Sequence, residues 1–332
     1  MALKYELQSH YSLKGAAATI GLGLQNCREV NVDEKGRMDP KHLEKLVEED
    51  KSKGYHPFFV NCTSGTTVYG AFDPINAIAD ICEKHNIWMH IDVRYWICKS
   101  KSSYFCIFFQ AAWGGGLLMS KTHRAGRFDG VERANSLTWN PHKLLGTLLQ
   151  CSTFHLKEQG ILTDCNTLNA RYLFQQDKHY DVSYDTGDKV IQCGRHNDIF
   201  KFWLAWRGKG TTGFELQMDR IMELTQYQMR RMCELNERFH IIVDDPEMVN
   251  VCFWYVPERL REQEHDQKRI EELGKVTAEL KSRMMFAGKL MISYQPLDDK
   301  PNFFRSIISN QACNEEDIDF MLEEIDRLGI DL

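Results

Sequence analysis

One lysine stands out because the residues around it would hold its amine at a fixed point. Lys143 closes the motif Asn-Pro-His-Lys at residues 140–143, between a strand-like apolar run and the apolar residues 144–149. Proline fixes the backbone φ angle just before the lysine. A lysine amine attacks a carbonyl when burial and neighbouring groups make its neutral form accessible. Lys143 is therefore a candidate Schiff-base lysine, although the motif alone also fits an ordinary surface lysine.

The first half of the chain alternates between strand and helix patterns. The predicted elements are a helix at residues 11–20, a strand at 27–32, a helix at 40–53, a strand at 57–61, a helix at 74–84 and a strand at 87–92. This alternation predicts an α/β fold with a mainly parallel, doubly wound sheet, whose functional groups collect at the carboxyl ends of strands. Asp92 and the polar turn at residues 63–67 fall at two such ends.

The second half has a different pattern and predicts a smaller α+β domain. A strand-like run at 150–155 and a polar stretch at 166–189 are followed by a mostly helical segment at 199–235, strands at 250–255, 290–294 and 303–308, and helices at 262–285 and 315–328. We expect the polar stretch to form a mobile loop over the cleft. The predicted domains are a large one at residues 1–196 and a small one at residues 197–332.

Length and composition exclude several classes of protein. The chain has 332 residues and a formal net charge of −6, so it lacks the basic field typical of nucleic-acid binding. Its 11 cysteines include no Cys-x-x-Cys spacing, which favours reduced thiols in the cytoplasm. We expect no signal peptide and no transmembrane segment, because the apolar run at residues 104–119 contains three glycines and is too short to span a bilayer. No metal site is predicted.

Several motifs together resemble one enzyme family. They are Ser-His-Tyr-Ser at residues 9–12, Thr-Thr-Val-Tyr-Gly-Ala-Phe-Asp-Pro at 66–74, His-Ile-Asp at 90–92, Ala-Trp-Gly-Gly-Gly at 112–116, Asn-Pro-His-Lys at 140–143, Tyr-Leu-Phe-Gln-Gln-Asp-Lys at 172–178 and Asp-Val-Ser-Tyr-Asp-Thr-Gly-Asp-Lys at 181–189. Their order resembles the group II pyridoxal-phosphate (PLP) amino-acid decarboxylases, above all those acting on glutamate and then those acting on cysteine sulfinate and aspartate. The resemblance covers residues 8–332 and implies the fold-type I PLP-dependent transferase fold.

The resemblance also implies roles for the cofactor-binding residues. Lys143 would carry PLP as an internal aldimine, and His10 would stack on the ring. Asp92 would keep the pyridine nitrogen protonated, so that the ring accepts electrons as CO2 leaves. The other expected cofactor contacts are Thr67 near the ring oxygen, Ala112, and Asn140 and His142 at the phosphate.

Two further residues would act on the substrate. Tyr172, on the predicted loop, resembles the family's proton donor, and Arg305 matches the arginine whose planar guanidinium binds a substrate carboxylate. Taken singly, each has a simpler interpretation: Tyr172 as a packed aromatic and Arg305 as a member of a surface ion pair. Asp92 alone also fits a turn cap, and His10 alone an ordinary histidine.

Two features depart from the family pattern. Only a few residues precede His10, whereas the family has a long amino-terminal region that helps to bind phosphate at a helix N-terminus, so weaker PLP affinity is expected. In addition, the 18 residues 93–110 separate Asp92 from Ala111, and Arg94 replaces a small residue expected under the ring. We expect this insertion to obstruct the site. Back-translated, the insertion fits the layout of a short in-frame intron, which suggests a retained intron or a gene-model error, and a genuine added loop is the alternative.

The sequence thus predicts a carboxy-lyase that converts L-glutamate to GABA and CO2, with cysteine sulfinate or aspartate as alternative substrates. A hypothesis of another class is a catalytically inactive isoform that forms a homodimer, or a heterodimer with a full-length paralogue. In the resembled family the site lies at a dimer interface, and a truncated chain would lend Tyr172 to its partner's site. An unstable product is the third alternative.

Overall fold

The computed structural model describes residues 2–6, 11–92, 94–97, 107–110, 114–168, 172, 175, 177–185, 187–192, 194 and 196–332. The strands of these ranges are β1 (Ala2–Glu6), β2 (Cys27–Val30), β3 (Pro57–Thr63), β4 (Trp88–Asp92), β5 (Arg94–Ile97), β6 (Ile107–Gln110), β7 (Ser136–Trp139), β8 (Thr153–Leu156), β9 (Phe239–Ile241), β10 (Asn250–Tyr255), β11 (Ser293–Leu297) and β12 (Lys300–Ile307). The α-helices are α1 (Ser12–Thr19), α2 (Pro40–Ser52), α3 (Ile75–His85), α4 (Ile161–Asn166), α5 (Asp198–Glu234), α6 (Glu258–Arg261), α7 (Gln267–Ala287) and α8 (Glu315–Gly329).

The larger sheet brings three strand ends to one edge. Its order is β2-β1-β3-β4-β7-β8, and every neighbouring pair is parallel except β7 and β8. Thr63 pairs with Asp92 across β3 and β4, and His90 pairs with Ser136 across β4 and β7. Because parallel strands end on the same side, the residues that follow β3, β4 and β7 meet at one edge.

Local sequence signals explain where the main helices begin and bend. Asp39 caps α2 by accepting a hydrogen bond from the Lys41 amide at 2.9 Å, and proline stands at the first helical position, where its missing N–H costs nothing. A capping box of Asn314 and Asp317 begins α8. The long helix α5 consists of two helices that meet at Gly210, whose φ of 67° interrupts the helical path.

The predicted insertion contains two paired strands. Strands β5 and β6 pair antiparallel, with Arg94 opposite Gln110 and Ile97 opposite Ile107. Both strands lie against β7, the strand that leads to the Lys143 turn. The insertion therefore runs beside the predicted site, and its obstruction of the site stays a prediction.

The smaller sheet positions the carboxyl-terminal part of the site. Its order is β11-β12-β10-β9, all antiparallel, with α7 and α8 packed against it. All six residues of β10 are buried, because helices cover one side and the larger domain covers the other. Across that boundary the rings of Tyr69 and Phe303 stack with centroids 6.2 Å apart. Strand β12 is therefore held firmly beside the turn that follows β3.

The predicted fold class is confirmed, with two adjustments. The larger sheet is parallel apart from β8, and the second predicted strand of the small domain begins at Ser293, three residues later than the sequence indicated. The boundary at residues 196 and 197 stays a prediction, although α5 begins at Asp198. None of the helices in the described ranges combines the length and apolar character needed to cross a membrane.

Candidate active site

The carboxyl end of β4 carries a buried carboxylate. Asp92 is the last residue of the strand, and its Oδ1 atom is buried without a hydrogen-bond partner in the part of the chain that the structure describes. Burial raises the pKa of Asp92 to about 6, an effect that the positive charge of Lys143 opposes. Leaving a buried acceptor unpaired is costly, so this oxygen favours a ligand that donates a hydrogen bond or carries positive charge.

The Lys143 turn follows the neighbouring strand β7. The Lys143 amide donates to the Asn140 carbonyl at 2.9 Å, and the Gly146 amide donates to the Lys143 carbonyl at 3.0 Å. The Lys143 side chain is half-buried, and burial lowers its pKa while the charge of Asp92 raises it. The structure thus brings together the two predicted groups that matter most: an amine whose neutral form is made more accessible, and a buried carboxylate.

The motif before Lys143 is tied to the next strand through backbone contacts. The Nδ1 atom of His142 lies 2.5 Å from the Cys151 carbonyl oxygen and 3.2 Å from the Cys151 amide nitrogen. Which of the two is the hydrogen bond depends on the tautomer of the ring. Asn140 supports the turn through its carbonyl, as described above. The predicted phosphate contacts of Asn140 and His142 stay predictions.

The structure also joins Thr67 and Arg305, which are 238 positions apart in the sequence. The Nη1 atom of Arg305 donates to the Thr67 carbonyl, while its Nε is buried without a partner in the described ranges. Burial lowers the pKa of Arg305. From β10, Asn250 Nδ2 donates to the carbonyls of Thr67 at 3.2 Å and Val68 at 2.8 Å. Strands of the small domain therefore hold this turn, and the guanidinium keeps unused donors.

Two residues that shape the same turn had no role in the sequence analysis. The carboxylate of Asp73, which is 3% exposed, accepts hydrogen bonds from the Met38 and Thr63 amides, both at 2.7 Å. Gly65 has a φ of +94°, and a Cβ there would lie 2.6 Å from the Gly114 nitrogen. Only glycine fits this close approach. Asp73 was within reach of prediction because it belongs to the motif at residues 66–74.

Three further predicted residues are Tyr172, His10 and Ala112, and of these the structure describes only Tyr172. Tyr172 is 79% exposed at the surface. His10 and Ala112 lie outside the described residues. The chain thus assembles Asp92 with Lys143, and Thr67 with Arg305, whereas the predicted roles of Tyr172, His10 and Ala112 stay predictions.

The chemistry of this arrangement agrees with comparisons to known proteins. Residues 6–256 match the family described as the pyridoxal-dependent decarboxylase conserved domain. The chain belongs to this family. Members of the family are PLP-dependent amino-acid decarboxylases, so the resemblance inferred from the motifs is confirmed at family level.

Individual members of the decarboxylase family resemble the chain over almost its whole length. Glutamate decarboxylase of Drosophila melanogaster is 61% identical over 325 residues, which are 98% of this chain and 60% of that protein. The crystal structure of mouse CSAD is 43% identical with a TM-score of 0.90, covering 100% of this chain and 64% of that one. Tryptophan decarboxylase of Catharanthus roseus, in complex with L-tryptophan, shares the fold with a TM-score of 0.81 at 22% identity, covering 99% of this chain and 63% of that one. The chain thus spans about 60% of the length of such relatives.

The described residues fit the cofactor on which the decarboxylase family depends. A protonated pyridine nitrogen donates one hydrogen bond, and the buried Oδ1 of Asp92 is an acceptor without a partner in the described ranges. An aldehyde needs an amine with an accessible neutral form, and burial lowers the pKa of Lys143 in that direction. The donor set of the chain and the functional groups of PLP are therefore complementary.

Proposed function

We propose that the chain catalyses the α-decarboxylation of L-glutamate to GABA and CO2 with PLP as cofactor. The observation that carries this proposal is the buried Asp92 carboxylate beside Lys143, whose Oδ1 has no hydrogen-bond partner among the described residues, in a chain 61% identical to a glutamate decarboxylase. In the reaction a proton replaces the carboxylate that leaves as CO2, so the site must stabilise an electron pair and then deliver a proton to the same carbon.

Asp92 and Lys143 divide the work on the cofactor. When bound, PLP supplies a ring that accepts the electron pair left by the departing CO2. Asp92 would hold the proton on the ring nitrogen through Oδ1, because an ionised carboxylate favours the protonated form of its partner. Lys143 would attach the cofactor covalently through Nζ, and the hydrogen-bonded turn around it would fix the direction of that atom.

Arg305 would bind the acid group of the substrate. Its contact with the Thr67 carbonyl uses Nη1 and leaves the Nε side of the guanidinium for a carboxylate. A planar guanidinium binds a carboxylate with two parallel hydrogen bonds, and partial burial strengthens such a pair. The described residues contain this donor for an acid but nothing that measures side-chain length. For that reason cysteine sulfinate or aspartate is kept as the alternative substrate.

A second copy of the chain would complete the site. Six large apolar side chains form an exposed patch, here called the α5 apolar surface: Leu149, Ile191, Ile199, Phe200, Trp203 and Leu204. Leu149 and Ile191 line one cleft together with Asp198 and Lys201, so the patch is continuous from the loops to α5. Contiguous exposed apolar surface of this kind marks protein interfaces. Tyr172 would act as the proton donor only across such an interface, because it is exposed in the single chain.

The α5 apolar surface also supports the proposal of another class, an inactive isoform that pairs with a full-length paralogue. Such a subunit would need the surface but not the cofactor. Cofactor retention on the chain itself therefore separates the two functions. Location in the cytoplasm stays a prediction for either of them.

The test is the visible absorbance spectrum of the purified chain after incubation with PLP and dialysis, beside a Lys143→Ala control. We expect a band of lysine-bound cofactor in the parent and none in the control, followed by CO2 release from glutamate in preference to cysteine sulfinate and aspartate. A parent without the band would overturn the proposal that this chain is itself a decarboxylase. A parent with the band that releases CO2 faster from another acid would reassign the substrate.

A further inference from the structure

A buried glutamine on α5 contacts the turn that carries Lys143. Gln217 is 6% exposed, and its Nε2 atom lies 3.5 Å from the Leu144 carbonyl oxygen and 3.4 Å from the Leu145 carbonyl oxygen. Leu144 and Leu145 are each 1% exposed, so water is excluded from this part of the turn. Buried carbonyls need a donor, and the Gln217 amide supplies one to both.

The orientation of this amide is fixed from its other side. Lys209 donates through Nζ to Gln217 Oε1 and to Gln311 Oε1. An ammonium donates only and a carbonyl accepts only, so the oxygen of the Gln217 amide must face Lys209 and its nitrogen must face the turn. The Lys209 Nζ also lies 5.4 Å from the centroid of the Phe214 ring, which holds the charged end in place.

The turn is short, and it has hydrogen bonds of its own besides the contacts of His142 with Cys151. The Gly146 amide bonds to the Lys143 carbonyl at 3.0 Å, the Thr147 amide bonds to the Pro141 carbonyl at 3.0 Å, and Gly146 has a φ of +74°. These bonds lie within the turn and fix its shape, whereas the contacts of Gln217 attach it to a long helix. A change in the Leu144 and Leu145 carbonyls would tilt the peptide that carries the lysine.

We propose that Gln217 is a positioning residue for Lys143, with Lys209 setting the orientation of its amide. The inference rests on the proposed function, since it concerns the amine that would hold the cofactor. Gln217 touches neither cofactor nor substrate in this assignment. It acts by keeping the Lys143 turn in one geometry, so that Nζ points the same way in every molecule.

The test compares two substitutions of Gln217 with a matched control. Gln217→Met keeps the length of the side chain and removes the donor, and Gln217→Glu keeps the acceptor for Lys209 but presents an oxygen to the two carbonyls. Gln228→Met is the control, because Gln228 is a fully buried glutamine of the same helix that contacts Ser306 and Met232 instead. If only the contact with Lys209 mattered, Gln217→Glu would behave as the parent does.

The first readout is amide hydrogen exchange in residues 140–149 of the full chain without added PLP. We expect exchange of the Gly146 and Thr147 amides to be about tenfold faster in both Gln217 variants and unchanged in Gln228→Met, since losing a buried hydrogen bond loosens the turn locally. Unchanged exchange in the Gln217 variants, or equal acceleration in the control, would overturn the inference.

The second readout is the cofactor trapped on Lys143 by borohydride after incubation with PLP. We expect a lower trapped fraction and a shifted pH midpoint of the absorbance band in both Gln217 variants, whereas a loss of stability alone leaves that midpoint unchanged. If the parent traps no cofactor, the proposed function fails while the exchange result still decides the role of Gln217. If a Gln217 variant does not fold, Lys209→Met serves in its place, with a smaller acceleration expected and no acceleration counting against the inference.

Discussion

The Asp92–Lys143 site and the α5 apolar surface differ in how complete they are. At the site, a buried carboxylate, a half-buried amine and a glutamine-supported turn come from three separate elements of one chain. At the surface, large apolar side chains such as Trp203 are more than half exposed, and Ile191 is 100% exposed. The side chains of the site are largely buried by other parts of the same chain, whereas those of the surface are largely exposed.

This difference separates two parts of the proposed reaction. Holding the cofactor depends on residues that β4, β7 and α5 already bring together. Protonating the product would, in this proposal, depend on Tyr172, which is exposed in the single chain. We therefore expect that the chain can bind its cofactor under conditions that abolish turnover. Each prediction below changes either the Asp92–Lys143 site or the α5 apolar surface, or separates substrate binding from the two.

The largest expected effect comes from Asp92→Asn. Without the negative charge at Oδ1, the protonated ring nitrogen of a bound cofactor would lose the carboxylate that accepts its hydrogen bond and stabilises its charge. We expect turnover to fall by about 10²–10³-fold, the loss typical of removing one preorganised electrostatic contact. CO2 release from glutamate measures it. Lys143 is unchanged in this variant, so it should still trap cofactor with borohydride. Turnover within about tenfold of the parent would contradict the role given to Asp92.

The next prediction concerns stability at the buried end of β4. Burial raises the pKa of Asp92 from 3.8 to about 6, so between these values the folded protein holds a proton that the unfolded chain has lost. The contribution of Asp92 to the free energy of unfolding of the cofactor-free protein should therefore fall by about 3 kcal/mol as the pH rises through this window. The difference between the parent and Asp92→Asn in urea unfolding at pH 4 and pH 7 measures this contribution, because the other titrating groups are common to both proteins. Asp92→Asn should remove this component, and a parent-like pH dependence in the variant would refute it.

His90, two residues before Asp92 on β4, should give the opposite dependence of stability on pH. His90 stacks between Phe59 and Phe154 with ring centroids 5.7 and 5.9 Å away, and burial lowers its pKa to about 4. As the pH falls from about 6.5 towards 4, the unfolded chain gains a proton that folded His90 does not bind, and the contribution of His90 to the free energy of unfolding should drop by about 3 kcal/mol. His90→Phe keeps the stacking and should flatten this acid limb. The same urea series would detect it, and an unchanged limb would count against the assignment.

The exposed side of the comparison is tested by Trp203→Glu. Placing a carboxylate on the α5 apolar surface should weaken self-association by about 10–100-fold, the effect of disrupting an aromatic residue at the centre of an interface. Sedimentation over a range of concentrations measures the dimer fraction. Trapping of cofactor on Lys143 should stay as in the parent. Tyr55→Glu, at a residue 48% exposed after α2, is the matched control, and equal weakening by both variants would mean that the surface is not specific.

Sequence patterns reached the Asp92–Lys143 pair because each residue sits in a short local motif. The rule that functional groups gather at the carboxyl ends of parallel strands pointed to Asp92 and to the turn at residues 63–67, and the family resemblance joined Asp92 to Lys143. The same patterns gave the approximate ends of most elements, whereas the division into two domains stays a prediction. They placed the Arg305 strand correctly as well, since residues 303–308 are apolar and β-rich.

Contacts made by backbone carbonyls were beyond reach of the sequence. Gln217 lies 73 positions from Leu144, and an interior helix residue that bonds to a distant carbonyl leaves no motif. The hydrogen bond from Arg305 to the Thr67 carbonyl is hidden for the same reason, because any residue at position 67 offers the same oxygen. The paired strands at residues 94–97 and 107–110 were missed because the insertion was interpreted as an interruption of a familiar motif.

The smallest effect is expected from Arg305→Lys, and it tests whether substrate binding can be weakened without affecting the Asp92–Lys143 site. A lysine keeps the positive charge but loses the planar fork that binds a carboxylate with two hydrogen bonds, so KM for glutamate should rise about tenfold with little change in kcat. The lysine also loses the guanidinium contact with the Thr67 carbonyl, which does not involve Lys143. Cofactor trapping should therefore match the parent. Initial rates over a range of glutamate concentrations give KM and kcat separately. A fall in kcat with unchanged KM would place Arg305 among the groups that act on the reacting carbon instead of those that bind the acid.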